Sequence, residues 1–362
     1  MAMTSIPDKI LVICTRRNGD VLLATPLVHT LRKAFPHARI DMLVFASTRG
    51  IISRNTDIDQ ILTIQERPSF FSHLAFLWRI WRKYDWAIST QSGDRPVLYA
   101  FAAGRLRIGM IDEKHRFKSH LLHMAVSFDD ETTHTVRMNL ALAQKLNLPA
   151  DGTVMAGFND QDAVIFNTFD NFDPGKPYVV LHMVPQFTYK AWHMEGWVTL
   201  ADWLIGMGFQ VVFTGSDRAM ECAMIESVIA RLPPKTLNLA GILNFGQVAY
   251  LVSRSRLYVG TDTVVTHLAA ATGVPTLALF GPTNPVKWAP WPKGWSVSSN
   301  PFERIGTQWR GNVYLLQGEG SCVPCHLEGC QRREDSDSDC LKEMSPQRVI
   351  RTVRRILEES RS

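Results

Sequence analysis

Two doubly wound α/β domains are predicted for this chain, and three features of the sequence carry that expectation. Its 362 residues exceed one ordinary core and suit two domains of about 150–180 residues each. From residue 9 onward, short apolar runs alternate with segments of helical periodicity, the pattern of a mostly parallel sheet covered on both faces. Residues 257–280 (LYVGTDTVVTHLAAATGVPTLALF) then give strand, tight turn, helix and strand within one stretch.

In chain order, 9–15 (KILVICT) reads as a strand and 16–20 (RRNGD) as a polar turn. The following VLLATPLVHTLRKAF is helical through Leu31, with Pro26 either kinking it or marking its first regular turn. Residues 39–45 (RIDMLVF) are the next strand, so Gly19 and Asp20 fall at the carboxyl end of the first, where such sheets place their sites. Asp20 there is either an N-cap or a group facing a ligand. The segment 70–81 (FFSHLAFLWRIW) is an amphipathic helix whose aromatic and basic residues fit core packing against the sheet or a membrane interface. The loop 90–96 (TQSGDRP) offers Gln91 and Asp94 at another strand end. Between Arg105 and His123 lie Arg107, Lys114, His115, Arg116, Lys118 and His120, a solvated face or a cationic loop that attracts anions. After the helix at 134–148, Asp, Asn, Gly and Pro break the pattern. This places a first domain at 1–165, a second at 175–345 and a terminal helix at 346–362 that either stays with the second domain or packs back on the first.

The second domain opens with the strand 178–182, followed by a loop ending in Lys190-Ala191-Trp192. Its informative stretch is 257–292. Residues 257–259 form a strand, Gly260 turns the backbone, Asp262 or Thr261 caps a helix from about 263 to 272, and Gly273 and Pro275 end it before the strand 276–280. A helix N-terminus at the carboxyl end of a parallel strand favours a phosphate-sized anion. Thr263 and His267 share one face of that helix, so a hydroxyl and an imidazole can both reach the anion. The functional reading is a diphosphate pocket; the bland one is a βαβ unit with a polar cap.

Hydrophobic residues make up 46% and charged residues 20%, with no apolar run near the ~18–20 residues of a membrane span, so the chain is expected to stay in the cytoplasm. The net charge of +5 comes with no nucleic-acid-binding motif, so it suits anionic small molecules or an acidic membrane face, and no nucleic-acid partner is expected. Cys14 and Cys222 lie in core-like segments and read as inert thiols, whereas Cys322, Cys325, Cys330 and Cys340 crowd together. Those four are compatible with a structural zinc, with unliganded thiols or with a disulfide.

The string D-T-x-x-x-H-x-A-A-A-x-x-x-P-x-x-x-L-F-G-x-T-x-P, from Asp262 through Pro285, resembles the signature of family 9 glycosyltransferases, the ADP-heptose:lipopolysaccharide heptosyltransferases. GDVLLATPLVHTLRKAFPHARID, from Gly19, is similar to their N-terminal motif. The resemblance implies the GT-B architecture, two Rossmann-like domains facing a cleft, with acceptor on the first and nucleotide sugar on the second. It also implies ADP-heptose as donor, the inner core of lipopolysaccharide as acceptor, and peripheral contact with the cytoplasmic face of the inner membrane. Asp20 would be the general base beside Gly19, and Lys190, Thr261, Asp262, Thr263 and His267 would surround the diphosphate. Residues 214–217 and 238–241 resemble stretches that border the adenosine. The loop departs from the family's usual form, with Val184 and Pro185 where a hydroxyl pair is often found and Thr188 as the substitute. No cofactor is implied for an inverting single displacement, and no metal site is identified for it. Within the family, FGPTNPVKWAPWP and the Lys190-Ala191-Trp192 loop are most similar to heptosyltransferase III. Alternatives are a relative using another nucleotide sugar, and an epimerase or sugar-nucleotide sensor on the same scaffold.

Overall fold

The computed structural model describes residues 6–112, 119–234 and 236–359, and divides into two units, Met1–Gly157 with Ser296–Asn300, and Phe158–Trp295 with Pro301–Ser362. In the first unit the elements run β1 (Lys9–Cys14), α1 (Asn18–Leu23), α2 (Thr25–Ala34), β2 (Arg39–Phe45), β3 (Gln60–Ile64), α3 (Phe70–Ile80), β4 (Tyr84–Ser89), α4 (Asp94–Ala103), β5 (Gly104–Ile111), β6 (Met124–Ser127) and α5 (Thr135–Lys145). Every pairing is parallel and the order is β3-β2-β1-β4-β5-β6, the doubly wound order in which the chain reverses direction between the first and fourth strands. β1 is apolar on both faces because helices cover both. Pro26 sits in the first turn of α2, so the sequence's single long helix is two short ones meeting at Ala24.

The second unit contains β7 (Tyr178–His182), α6 (Met194–Gly206), β8 (Gln210–Phe213), α7 (Ala219–Ile229), β9 (Leu237–Asn238), α8 (Phe245–Arg254), β10 (Leu257–Thr261), α9 (Val264–Thr272), β11 (Thr276–Phe280), α10 (Pro285–Trp288), β12 (Gln308–Arg310), β13 (Val313–Gln317), α11 (Asp339–Lys342) and α12 (Pro346–Glu359). Its sheet runs β12-β13-β11-β10-β7-β8-β9, parallel except for the edge pair β12–β13. Without that edge strand the order repeats the first sheet, with β7 and β10 at the reversal. Phe166 stacks on Tyr250 while Phe158 meets Tyr250 and Phe172 meets Tyr178 edge-on, which ties the segment after Gly157 to the second unit. Val349, Val353 and Ile356 of α12 enter the core of that same unit, beside Trp197 and Leu200 of α6. Arg137 holds the Ser296–Asn300 stretch in the first unit through Val297 O at 3.1 Å and Asn300 Oδ1 at 3.0 Å.

Candidate active site

Open parallel sheets bind ligands at the carboxyl ends of the strands flanking the reversal of order. In the second unit those ends are the turns after β7 and β10. β10 ends at the fully buried Thr261, and α9 begins at Val264 with Thr263, not Thr261 or Asp262, in the N-cap position. The shift has a cause, since the Asp262 carboxylate is taken by the Lys190 ammonium at 2.6 Å. The Thr263 side chain caps nothing; its Oγ1 lies 3.3 Å from Thr266 Oγ1. The first turn of α9 thus opens at the carboxyl end of β10 with a helix dipole and no side-chain cap of its own.

A buried polar ladder fixes this turn. Thr266 Oγ1 donates to Thr261 O and lies 3.0 Å from the Tyr258 hydroxyl, whose ionisation burial pushes well above the usual range. Gly260 lies inside β10 and not at a turn; a Cβ there would strike the Tyr258 hydroxyl, so the glycine makes room for the ladder. Gly273 ends α9 in the left-handed region at φ 91°, as the sequence predicts.

His267, one turn into α9, is 6% exposed, and its Nδ1 has no hydrogen-bond partner among the described residues. Burial lowers its pKa to about 4, with Asp262 opposing and Lys190 reinforcing the shift. The imidazole is therefore neutral at pH 7 and can offer an anion a hydrogen bond, not a full charge. Lys190 supplies the charge from a single helical turn, Thr188–Lys190. Its Nζ sits 5.8 Å from the Tyr189 ring, and that ring stacks on Phe187 at 5.5 Å.

Two further polar groups bear on this site. His182 ends β7, is 7% exposed and meets Thr214 Oγ1 at 3.0 Å; burial lowers its pKa to about 4. The sequence signal was there, a polar residue closing an apolar strand at the reversal. Ser338 carried no signal, because its value comes from a long-range contact. Its Oγ donates to Tyr189 O at 2.7 Å while Thr188 N donates to Glu334 O at 3.2 Å, so the cysteine-bearing segment fastens the turn that holds Lys190.

That segment is not arranged as a metal centre. All six cysteines are free, and among the described residues no group of three or more His, Cys, Asp or Glu could hold a metal ion, so a structural zinc at Cys322, Cys325, Cys330 and Cys340 is not supported. Burial and the neighbouring thiols push Cys340 up to about 12.

In the first unit the reversal lies between β1 and β4. The 16–20 stretch is not a free turn: Asn18 to Asp20 form the first turn of α1 after Arg17 as N-cap. Asp20 has 18% of its side chain exposed and lies 3.7 Å from Arg16 Nη1. A Cβ on Gly19 would meet nothing within 4 Å, so packing does not demand that glycine. Thr15 donates from N and Oγ1 to Gln91 Oε1, each at 3.2 Å, which ties the end of β1 to the end of β4. Burial, then the charge of Asp20, pushes the Cys14 thiol up to about 12, in keeping with an inert core cysteine. Of the basic stretch, Lys114, His115, Arg116 and Lys118 lie outside the described residues. The Arg107 amide donates to His123 Nδ1 at 3.0 Å.

The family model described as glycosyltransferase family 9 (heptosyltransferase) matches residues 76–313. A lipopolysaccharide heptosyltransferase 3 of Escherichia coli (strain K12) is 28% identical over 315 residues, covering 83% of this chain and 88% of the relative. Among solved structures, the family 9 glycosyltransferase of Veillonella parvula DSM 2008 superposes with a TM-score of 0.77 at 20% identity, covering 97% of each chain. The E. coli ADP-heptose lps heptosyltransferase II superposes at 0.75 with 21% identity, covering 98% of this chain and 100% of that one. The fold is therefore GT-B.

Proposed function

The chain belongs to glycosyltransferase family 9, a family of heptosyltransferases, and from that premise we propose that it transfers L-glycero-D-manno-heptose from ADP-heptose to the inner core of lipopolysaccharide. The second unit takes the donor and the first the acceptor, at the cytoplasmic face of the inner membrane. The observation that carries the donor assignment is the Lys190–Asp262 pair set against the uncapped first turn of α9. Cation, helix dipole and neutral imidazole are grouped there at the strand ends, the set of groups that a departing diphosphate requires.

The chemistry is a single displacement with inversion. Asp20 takes the proton of the acceptor hydroxyl as its oxygen bonds to the anomeric carbon. The bond from that carbon to the diphosphate oxygen breaks, and ADP leaves with the electron pair. Lys190 neutralises part of that charge, Thr263 and His267 hydrogen-bond to it, and the amides opening α9 receive the rest. Asp262 is the counter-ion that aims Lys190; a carboxylate would repel the diphosphate directly. The resemblance of 280–292 to heptosyltransferase III, with the E. coli relative of that name, supports the branch position on the second heptose as the acceptor.

Incubation with ADP-heptose and core lipopolysaccharide lacking the branch heptose, with the product read by mass spectrometry, is expected to add one heptose to the second heptose. ADP-heptose hydrolysis without transfer, or transfer only from another sugar nucleotide in a donor panel, would refute the proposal.

A further inference from the structure

We propose that the outer face of α3 is a docking surface for the anionic headgroup layer of a lipid bilayer. The helix has two faces and both are apolar. One carries His73, Phe76, Leu77 and Ile80 and packs into the first unit, with Phe76 and Ile80 buried. The opposite stripe, spaced i, i+3, i+4 and i+7, is Phe71, Leu74, Ala75 and Trp78, where a surface helix of a globular protein carries charge. Phe71 is 80% exposed, Trp78 79% and Leu74 55%, with Phe70 beside them at 75%. Of the two sequence readings for this segment, core packing accounts for the first stripe only.

The patch extends past the end of α3. Trp81 is 47% exposed and meets the Phe101 ring of α4 at 6.3 Å, next to the exposed Leu98. Isolated exposed apolar side chains need no explanation, but a contiguous aromatic patch marks an interaction site. Its rim is cationic: Arg79, Arg82 and Lys83 are exposed. The Arg82 guanidinium lies 5.8 Å from the Trp81 ring and that of Arg107 4.9 Å from the Phe101 ring. The nearby acid is committed elsewhere, since Asp85 pairs with Arg105 at 3.2 Å and accepts the amides of Asp8 and Lys9 at 3.0 Å each.

Charge decides the occupant. A second copy packed symmetrically on this face would bring its own arginines and lysine against these, an arrangement that costs energy without an intervening anion. A layer of lipid phosphates supplies that anion, and tryptophan and arginine are the residues that favour the boundary between headgroup and acyl chain. α3 has 11 residues, too few to cross a bilayer, so the proposed contact lays it in the interface plane. α3 follows β3 and precedes β4 in a parallel sheet, which puts Phe70 and Phe71 at the same end of the first unit as Asp20. The benefit to a lipid-borne acceptor rests on the function proposed above; the surface itself does not.

The full chain is tested by co-sedimentation with vesicles of phosphatidylcholine alone or mixed with phosphatidylglycerol, at physiological salt and without substrates. Binding is expected to be stronger on the mixed vesicles. Phe71→Ser with Trp78→Ser, and separately Arg79→Glu with Lys83→Glu, should weaken it about tenfold or more. Both variants should keep the wild-type melting temperature and wild-type transfer to a delipidated, water-soluble core oligosaccharide. Equal binding by wild type and variants, or no binding of wild type to the mixed vesicles, overturns the proposal. So does a dimer of the wild type that the Phe71→Ser, Trp78→Ser variant abolishes, which would assign the face to a second copy. Vesicle binding without any heptose transfer would refute the proposed function and leave this surface standing.

Discussion

The two sheets share one strand order, and each places a polar turn at the same topological point, yet the two turns are built in opposite ways. After β1 the Asp20 side chain is 18% exposed beside Arg16 at 3.7 Å, and the space beside Gly19 is open. After β10 the charge is clamped at 2.6 Å, and Thr261, Asp262 and His267 are each more than nine-tenths buried. A base must meet a mobile hydroxyl and hold its proton only briefly, so openness serves it. A site for a leaving anion gains most from dipoles that do not reorganise. Topology chooses the place, and burial chooses the chemistry.

The hardest test of this contrast is Asp20→Asn. It keeps shape and removes basicity, so kcat should fall about 10²–10⁴-fold, while calorimetric ADP affinity stays within about twofold of wild type. A parallel loss of ADP affinity would mean that the two turns are not separate in function. Lys190→Ala should act the other way. It removes leaving-group stabilisation and strands a buried carboxylate, so kcat/KM should drop about 10²–10³-fold and the melting temperature should fall as well. Lys190→Ala with Asp262→Asn should recover the stability and not the rate.

Acid separates the two turns next. His182 and His267 have pKa values lowered to about 4 by burial, against about 6.5 in the unfolded chain. Between those values the unfolded state binds more protons, so the stability these residues contribute is whole above pH 6.5 and is lost as pH falls toward 4. The loss should be on the order of 2–5 kcal/mol for the pair at pH 4.5. Urea midpoints followed from pH 7 to 4.5 should show it, and His267→Asn should flatten the profile. An unchanged profile in that variant would mean that the imidazole is not the buried neutral group described here.

Much of this was legible in the sequence, and the gaps have physical causes. The unit from β10 to β11 could be read because apolar runs, Gly273 and Pro275 are local signals. The start of α9 is not legible to the residue, because Asp262 is an excellent cap in isolation and only the distant Lys190 diverts it. Gly260 looked like a turn residue; its reason is the Tyr258 hydroxyl, a side chain that periodicity cannot aim. The apolar outer face of α3 was undecidable because core and membrane interface favour the same residues, and exposure alone separates them. The bracing by Ser338 is invisible because Tyr189 lies far from it in the chain.

The smallest expected effect is the sharpest on what Gly19 is for. A Cβ there meets nothing within 4 Å, whereas one on Gly260 strikes the Tyr258 hydroxyl. Gly260→Ala should therefore destabilise the protein by breaking the buried ladder. Gly19→Ala, in the first turn of α1 and without positive φ, should stabilise it by about 0.4–1 kcal/mol through the reduced freedom of the unfolded chain. If the open space beside Gly19 receives the acceptor, the same methyl group should raise the acceptor KM several-fold and leave donor KM and ADP affinity unchanged. A Gly19→Ala enzyme with unaltered acceptor KM would show that the acceptor approaches Asp20 from another side, and the openness of the first turn would then lose its functional meaning.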